Sequence, residues 1–423
     1  MERLYDKLKA YSESDFYAFH MPGHKRNKTL LGIELPYDLD ITEIDGFDDL
    51  HHADGILKEE QERAARVFGA EESHFLVNGS TAGILSAVMG CTHRGDKILV
   101  ARHCHKSIYH AIYMNGLVPR YVYPEFDISM HMNGEISKED VAKALAAEPD
   151  IKAVVIVSPN YDGVVSDVKG IAEVAHSYRI PLIVDEAHGP HFGFHPAFPG
   201  RANDLGADVV INSLHKTLPS LTQTAILHIN GKLANRRRIK KYLDMLQSSS
   251  PSYIFMASLD ACVDFLDGKC EEAFELYVER LQKFREELKP LQHLQILRIE
   301  HYDISKVVIS TANANITSPE LADRLRKEYH LEMEMTGGTY VLAMTTVADT
   351  QEGLDRLKSA LLEIDDQLEA KTAVSGSIEI SGELPRLEQY FTPQEAADRE
   401  EDGEAEEIPW KESEGHISLE YAY

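Results

Sequence analysis

Tryptophan occurs once and cysteine four times in the 423 residues. Cys91, Cys104, Cys262 and Cys270 have no tight, metal-like spacing, and they read as free thiols in a reducing cytoplasm. Long apolar runs are missing as well: stretches such as 153–157 are far too short to span a bilayer. The start, Met1-Glu-Arg-Leu-Tyr-Asp6, lacks a basic stretch followed by an apolar one, so no secretory leader is expected. Cations are outnumbered, 43 Lys plus Arg against 70 Asp plus Glu, for a formal charge of −27. Nucleic-acid binding needs clustered cations and is not expected. A small cationic partner suits this balance. Neither a Walker loop nor G-x-G-x-x-G occurs, which disfavours nucleotide cofactors.

What is present is the pattern of an α/β enzyme. Residues 1–50 are weakly periodic and read as an arm with no hydrophobic face. From 55 to 230, short apolar runs alternate with helical patterns. Strands are expected at 74–77, 97–101, 118–123, 153–157, 181–184, 208–211 and 224–229. Helices are expected at 58–68, 81–89, 108–114, 138–147 and 168–178. That alternation implies crossover units and a mainly parallel sheet. Residues 232–290 read as long helices broken at Ser248-Ser-Ser-Pro251. Strands at 294–299, 306–309 and 340–344, with helices at 319–329 and 352–368, point to a smaller α+β domain. The division expected is an arm (1–50), a large domain (51–247), a small domain (248–371) and an acidic C-terminal segment (372–423), with 398–407 solvated and mobile.

Chemistry-bearing residues fall at the predicted strand ends, where open α/β sheets bind ligands. Asp185-Glu-Ala-His188 follows one strand; its acid suits a structural cap, a metal or a cofactor cation. Asn212-Ser213-Leu-His215-Lys216 follows another, and Lys216 is a candidate carbonyl-capturing nucleophile. Lys106, also after a strand, is its rival. Asn78-Gly79-Ser80-Thr81 lies between a strand and a helix and suits a phosphate. His103-Cys-His105 suits a metal, loop packing or stacking on a flat cofactor. His188-x-x-His191-x-x-x-His195 and His20-x-x-x-His24 raise a histidine-rich metalloprotein. Pro190, Gly193 and Pro196 break helical ligand spacing in the first, and no metal is expected. A phosphate cup, a stacking His, an acid and a lysine together are what pyridoxal 5′-phosphate (PLP) uses.

His20-Met-Pro-Gly-His-Lys25, Asp45-Gly-Phe-Asp-Asp-Leu-His-His52, Val77-Asn-Gly-Ser-Thr81, His103-Cys-His-Lys-Ser107, Asp185-Glu-Ala-His-Gly189 and Ser213-Leu-His-Lys216 resemble the Orn/Lys/Arg decarboxylase family, of the aspartate-aminotransferase fold. The resemblance runs over about residues 15–260, and the chain is similar to the short bacterial form. That form usually continues into a Pro-Pro-Gly-Ile-Pro segment; this sequence reaches Tyr423 without one. The resemblance implies a seven-stranded-type sheet, PLP as cofactor, a homodimer with the active site at its interface, and decarboxylation of a basic amino acid in polyamine biosynthesis, arginine before lysine or ornithine. It implies that Lys216 is the Schiff-base lysine, that Asp185 pairs with the pyridine nitrogen and that His105 stacks on the ring. Gly79, Ser80, Thr81, Ser213 and His215 would serve the phosphate, and His188 would lie near the phenolic oxygen. His215 and Lys216 remain alternative proton donors. The acidic run Asp40 to Asp49 offers Glu43 and Asp45 for the substrate's cationic end, with His20 and His24 nearby. Competing readings are an aminotransferase or aldolase of the same fold and a catalytically inactive homologue.

Overall fold

Alternation along the strands builds the centre of the molecule. In the computed structural model, which describes residues 3–29, 32–127, 130–370, 388–409 and 415–418, Ile98 and Val100 enter one core and Leu99 and Ala101 another. Val155 and Val154, Ile183 and Val184, and Val209 and Val210 divide the same way. Successive side chains of a strand point to opposite faces, so these β-branched runs mark a sheet buried on both sides.

The elements follow in order: α1 (Leu4–Ser12), α2 (Ile56–Val67), β1 (Glu72–Leu76), α3 (Gly79–Cys91), β2 (Lys97–Ala101), α4 (Lys106–Asn115), β3 (Val118–Val122), a hairpin of β4 (Phe126–Asp127) and β5 (Met132–Asn133), α5 (Lys138–Ala147), β6 (Val154–Val157), α6 (Val168–Ser177), β7 (Leu182–Asp185), β8 (Val209–Asn212), α7 (Leu214–Thr217), β9 (Ala225–Ile229), α8 (Arg236–Leu246), α9 (Tyr253–Leu266) and α10 (Glu271–Glu287). The seven-stranded sheet has the order β1-β9-β8-β7-β6-β2-β3. β9 pairs antiparallel with β1 and β8, and the other pairings are parallel. Helices α3, α4 and α8 supply the core on one face, and α5 and α6 that on the other. Gly90 of α3 lets α8 approach closely: a Cβ there would lie 2.8 Å from the Cα of Ile239.

A second sheet, β10-β11-β13-β12, is antiparallel throughout; its strands are β10 (Gln295–Ile296), β11 (Lys306–Ser310), β12 (Met335–Thr336) and β13 (Tyr340–Met344). It packs on α11 (Ser318–Tyr329) and α12 (Gln351–Asp365). The expected strand at 294–299 is reduced to the two residues of β10.

Two expectations need correction. The arm does have a hydrophobic face: Leu4 and Leu8 of α1 are fully buried against a core that includes Leu259 and Val263 of α9. Packing does not change at residue 248. Helix α9 and Phe274, Tyr277 and Leu281 of α10 share a core with Phe75 and Ile226 of the large sheet, whereas Phe284 and Leu288 join that of the small sheet. The acidic stretch at 398–407 is exposed throughout, as expected of a solvated segment, and its first residues continue a helix, α13 (Pro393–Glu401), which a Thr392/Glu395 capping box starts and which buries Ala396 and Ala397. The rest of the expected C-terminal segment lies largely outside the described residues.

Candidate active site

The carboxyl ends of β7 and β8 meet at one point. Asp185, the last residue of β7, pairs in register with Val157 of β6 and Ile211 of β8. Its carboxyl is buried, and Oδ1 accepts from the Ala187 N–H at 3.1 Å. Burial raises its pKa, while the charges of Lys216 and His105 pull it back down. A carboxylate this deep is stabilised by a cation beside it.

β8 runs directly into α7, whose single turn carries His215 and Lys216. Lys216 is half-buried, and desolvation lowers its pKa against the opposing pull of Asp185 and Glu334. Its Nζ lies 2.8 Å from His188 Nε2. His188 follows β7 and is buried, and burial together with Lys306 and Lys216 holds its pKa well below the usual 6.5. His215 Nδ1 lies 2.9 Å from the Thr224 carbonyl. A carbonyl only accepts, so Nδ1 carries the proton and the Nε2 of neutral His215 is a lone pair.

Helix α3 starts at Gly79, whose φ of +70° favours glycine, and a Cβ there would meet nothing within 4 Å. The N-cap, Asn78, makes no side-chain cap, and its Oδ1 instead accepts from the Ser248 N–H. The Gly79 N–H donates to the Gln223 carbonyl at 2.9 Å, and the N–H groups that follow it in this 13-residue helix have no side-chain cap, beside half-buried Ser80 and exposed Thr81. Ser80 Oγ hydrogen-bonds Ser213 Oγ, the N-cap of α7. The two loops form one polar cup at a helix N-terminus without a side-chain cap, an arrangement that suits an anion.

His105 is the N-cap of α4: its Nδ1 accepts from the Ser107 N–H at 3.2 Å and lies 2.8 Å from Ser107 Oγ. The ring stays exposed at the cleft, where its charge is felt by Asp185. His103 instead keeps a buried Nδ1 with no partner, and burial lowers its pKa to about 4. Lys106 is exposed on the first turn of α4.

The spaced histidines do not converge. His188 reaches Lys216, His191 lies between Thr217 (2.9 Å) and Asp303 (3.1 Å), and His195 meets Glu275. Among the described residues no group of three or more His, Cys, Asp or Glu could hold a metal. His20 meets the Tyr11 hydroxyl, and His24 packs on Tyr37 and meets Asp40 at 3.1 Å. Glu43 and Asp45 are exposed; Glu43 exerts its charge on Tyr253. None of these four has a contact with the Lys216 cluster in this chain.

The structure adds three residues that the motifs did not reveal. Lys306, at the start of β11, is fully buried, with its Nζ 3.0 Å from His188 Nδ1. Glu334 precedes β12 and is exposed at the mouth; it accepts from the Tyr161 hydroxyl, and its charge reaches Lys216 and Lys306. Tyr161 also packs on His188, with ring centroids 4.8 Å apart. Tyr161 follows β6, so the strand-end rule was a usable signal for it; nothing local marks Lys306 or Glu334.

Comparison with known proteins agrees with this geometry. The fold is that of PLP-dependent enzymes of the aspartate-aminotransferase type. Residues 3–312 match the family described as Orn/Lys/Arg decarboxylase, major domain, and the chain belongs to that family. It is 34% identical to an arginine decarboxylase of Bacillus subtilis, over 99% of this chain and 87% of that one. Among solved structures, lysine decarboxylase A of Pseudomonas aeruginosa superposes with a TM-score of 0.81 at 23% identity, covering 99% of this chain and 72% of that one. The constitutive lysine decarboxylase of Escherichia coli gives 0.81 at 21%, covering 98% and 72%.

The cofactor of the family is PLP, and the residues present fit it. A helix N-terminus without a side-chain cap and with open space at Gly79 suits its phosphate, a half-buried lysine its carbonyl, and a buried carboxyl its ring nitrogen. The protein is a PLP-dependent decarboxylase of basic amino acids.

Proposed function

We propose that the substrate is arginine, that Lys216 is the lysine that engages the cofactor, and that Asp185, His105, His188 and the Gly79–Thr81/Ser213 cup hold it. The observation that carries this reading is the convergence of Asp185, His188 and Lys216 at the ends of β7 and β8. Bound PLP supplies an aldehyde for amine exchange and a ring that accepts the electron pair left when the Cα–carboxylate bond breaks.

The chain's own groups do the rest. The α3 N-terminus, Ser80, Thr81 and Ser213 hold the phosphate. His105 is pinned through Nδ1 by Ser107, so its ring presents a fixed face to the cleft. Asp185 sets a negative charge in a buried position, where it stabilises a cation far more than it would in water. His188 sits over Lys216 and fixes its Nζ. Lys216 is the better proton donor to Cα. Neutral His215 has no Nε2 proton to give, and desolvation lowers the pKa of its cationic form.

For the substrate's cationic end, Glu334 is the carboxylate at the mouth beside Lys216. A guanidinium favours a carboxylate that accepts two parallel hydrogen bonds. Glu43 and Asp45 join only if the arm of a second copy reaches this cleft. A homodimer is supported by the arm, on which Phe16, Tyr17, Phe19 and Met21 are 69, 70, 89 and 62% exposed. So much contiguous apolar surface marks an interface. Four free cysteines suit a reducing cytoplasm, and arginine decarboxylation would serve polyamine biosynthesis.

The test is borohydride reduction of the holoenzyme followed by peptide mass spectrometry. The cofactor-derived mass is expected on the Lys216 peptide, and Lys216→Ala should lose it along with the visible absorbance. A reduced adduct on Lys106 instead would overturn the assignment.

A further inference from the structure

His188 stands between two lysines, with Nε2 2.8 Å from Lys216 Nζ and Nδ1 3.0 Å from Lys306 Nζ. A lysine ammonium has three donors and no lone pair, and a neutral imidazole has one N–H and one lone pair. Two ammonium groups therefore cannot both be satisfied by one neutral imidazole. An imidazolium would leave both of them facing a donor. The row Lys216–His188–Lys306 holds at most one ammonium if both hydrogen bonds are made.

The surroundings keep the row fixed. The stem of Lys306 lies against Gly163: a Cβ at that position, where φ is +108°, would sit 2.7 Å from Lys306 Cγ. The Tyr302 hydroxyl donates to the Lys306 carbonyl at 2.9 Å. Lys306 faces Asp303, Asp162 and Glu334, which favour its charged form, and Lys216, which opposes it. Burial outweighs them and brings its pKa down to about 8, so near neutrality it gives up and regains a proton readily. Lys216 faces Asp185 and Glu334, while His188 also faces His105 and His215.

We propose that Lys306 is a positioning residue that shares one ammonium proton with Lys216 through His188 and takes that proton whenever Lys216 must act as an amine. The transfer is balanced. A proton leaves Lys216 Nζ for the lone pair on His188 Nε2 as the proton on Nδ1 moves to the lone pair of Lys306 Nζ. Two N–H bonds break, two form, and the charge of the row is unchanged. Lys216 is left as a neutral amine whose lone pair accepts from His188 Nε2–H and is released when that hydrogen bond opens. This rests on the reading that Lys216 engages the cofactor, because only that role needs a free amine there.

The test reads the protonation of Lys216 in full-length, cofactor-free protein. Lysines are trace-labelled with acetic anhydride across a pH series, and the Lys216 peptide is quantified against exposed Lys106. In the unsubstituted protein the Lys216 midpoint should lie below that of Lys106. Lys306→Met removes the proton acceptor, so the midpoint should rise by about one unit and labelling near neutrality should fall about tenfold. Lys306→Arg places a permanent cation at Nδ1, so the midpoint should fall. Opposite shifts are not the mark of a merely structural lysine, which would move both variants the same way. Equal or absent shifts would overturn the proposal. If neither variant folds, the Lys306 peptide of the unsubstituted protein is quantified in the same series: Lys216 and Lys306 titrating as one coupled pair supports the proposal, and two independent midpoints overturn it. Borohydride labelling of the holoenzyme keeps the two ideas separable, since it tests the role of Lys216 and is blind to where its proton goes.

Discussion

Asp185→Asn tests the charge at the floor of the site with little else changed. The side chains are isosteric, and the amide oxygen of the variant can still accept the Ala187 N–H that Asp185 accepts at 3.1 Å. The turn after β7 should therefore persist. Burial raises the Asp185 pKa, so its ionised form costs stability at neutral pH, and the variant should be at least as stable as the parent. What disappears is a negative charge in a buried position. Removing one partner of a buried, hydrogen-bonded charge pair costs about 2–5 kcal/mol. At about 1.36 kcal/mol per tenfold in rate, turnover should fall between about thirty-fold and several thousand-fold.

A second effect of the same change runs the other way. The Asp185 charge raises the Lys216 pKa, so its loss lets Lys216 shed its proton at lower pH. Lys216 becomes more available as an amine, and slow turnover cannot be blamed on a protonated lysine. The assay is CO₂ release at saturating arginine, with the variant's cofactor content measured by absorbance. A variant that holds its cofactor and turns over within a few-fold of the parent would remove Asp185 from the mechanism.

Three further outcomes are expected. Burial pushes Glu186 up to about 8, so the folded state binds its proton more tightly than the unfolded chain does. Its contribution to stability is complete below about pH 4 and is lost as pH rises through about 8, so the urea midpoint should fall over that window, and Glu186→Gln should flatten the slope. Glu334→Gln should weaken arginine and lysine turnover while sparing a neutral analogue such as norleucine; Glu43→Gln and Asp45→Asn should show the same selectivity only in a dimer, and equal losses on all three substrates would make any of these residues structural. Phe19→Asp should shift light scattering towards the monomer, and an unchanged mass would place the interface elsewhere.

Much of the site was legible because its residues are local to strand ends. Asp185, His188, Ser213, His215 and Lys216 lie within a few residues of β7 or β8, and a parallel sheet brings consecutive strand ends together. The cup at Gly79–Thr81 was readable for the same reason, as small residues between a strand and a helix. The exposed apolar arm was harder to read. Its hydrophobic face, Leu4 and Leu8, is only two residues deep and declares itself by packing on α9. The change of core partway along α10 was not readable at all, since one continuous amphipathic pattern serves two cores.

Lys306 shows why the remainder was hidden. A lysine that opens a strand is ordinarily solvated, and neither composition nor spacing distinguishes one that is fully buried. Its position follows from tertiary contact alone. The small sheet lies against the carboxyl edge of the large one, Gly163 leaves room for the lysine stem, and Val164 bridges to Tyr302. Asp303, in the turn before it, is tied to His191, which meets Thr217 on the same turn as Lys216. The two sheets are thus joined twice beside Lys216, through His188 to Lys306 and through His191 to Asp303. A shift of the small sheet would alter both links at once. Substitutions far out on β11 or β13 should accordingly reach the Lys216 protonation profile before they reach the cup proposed for the phosphate, which is built from the loops after β1 and β8.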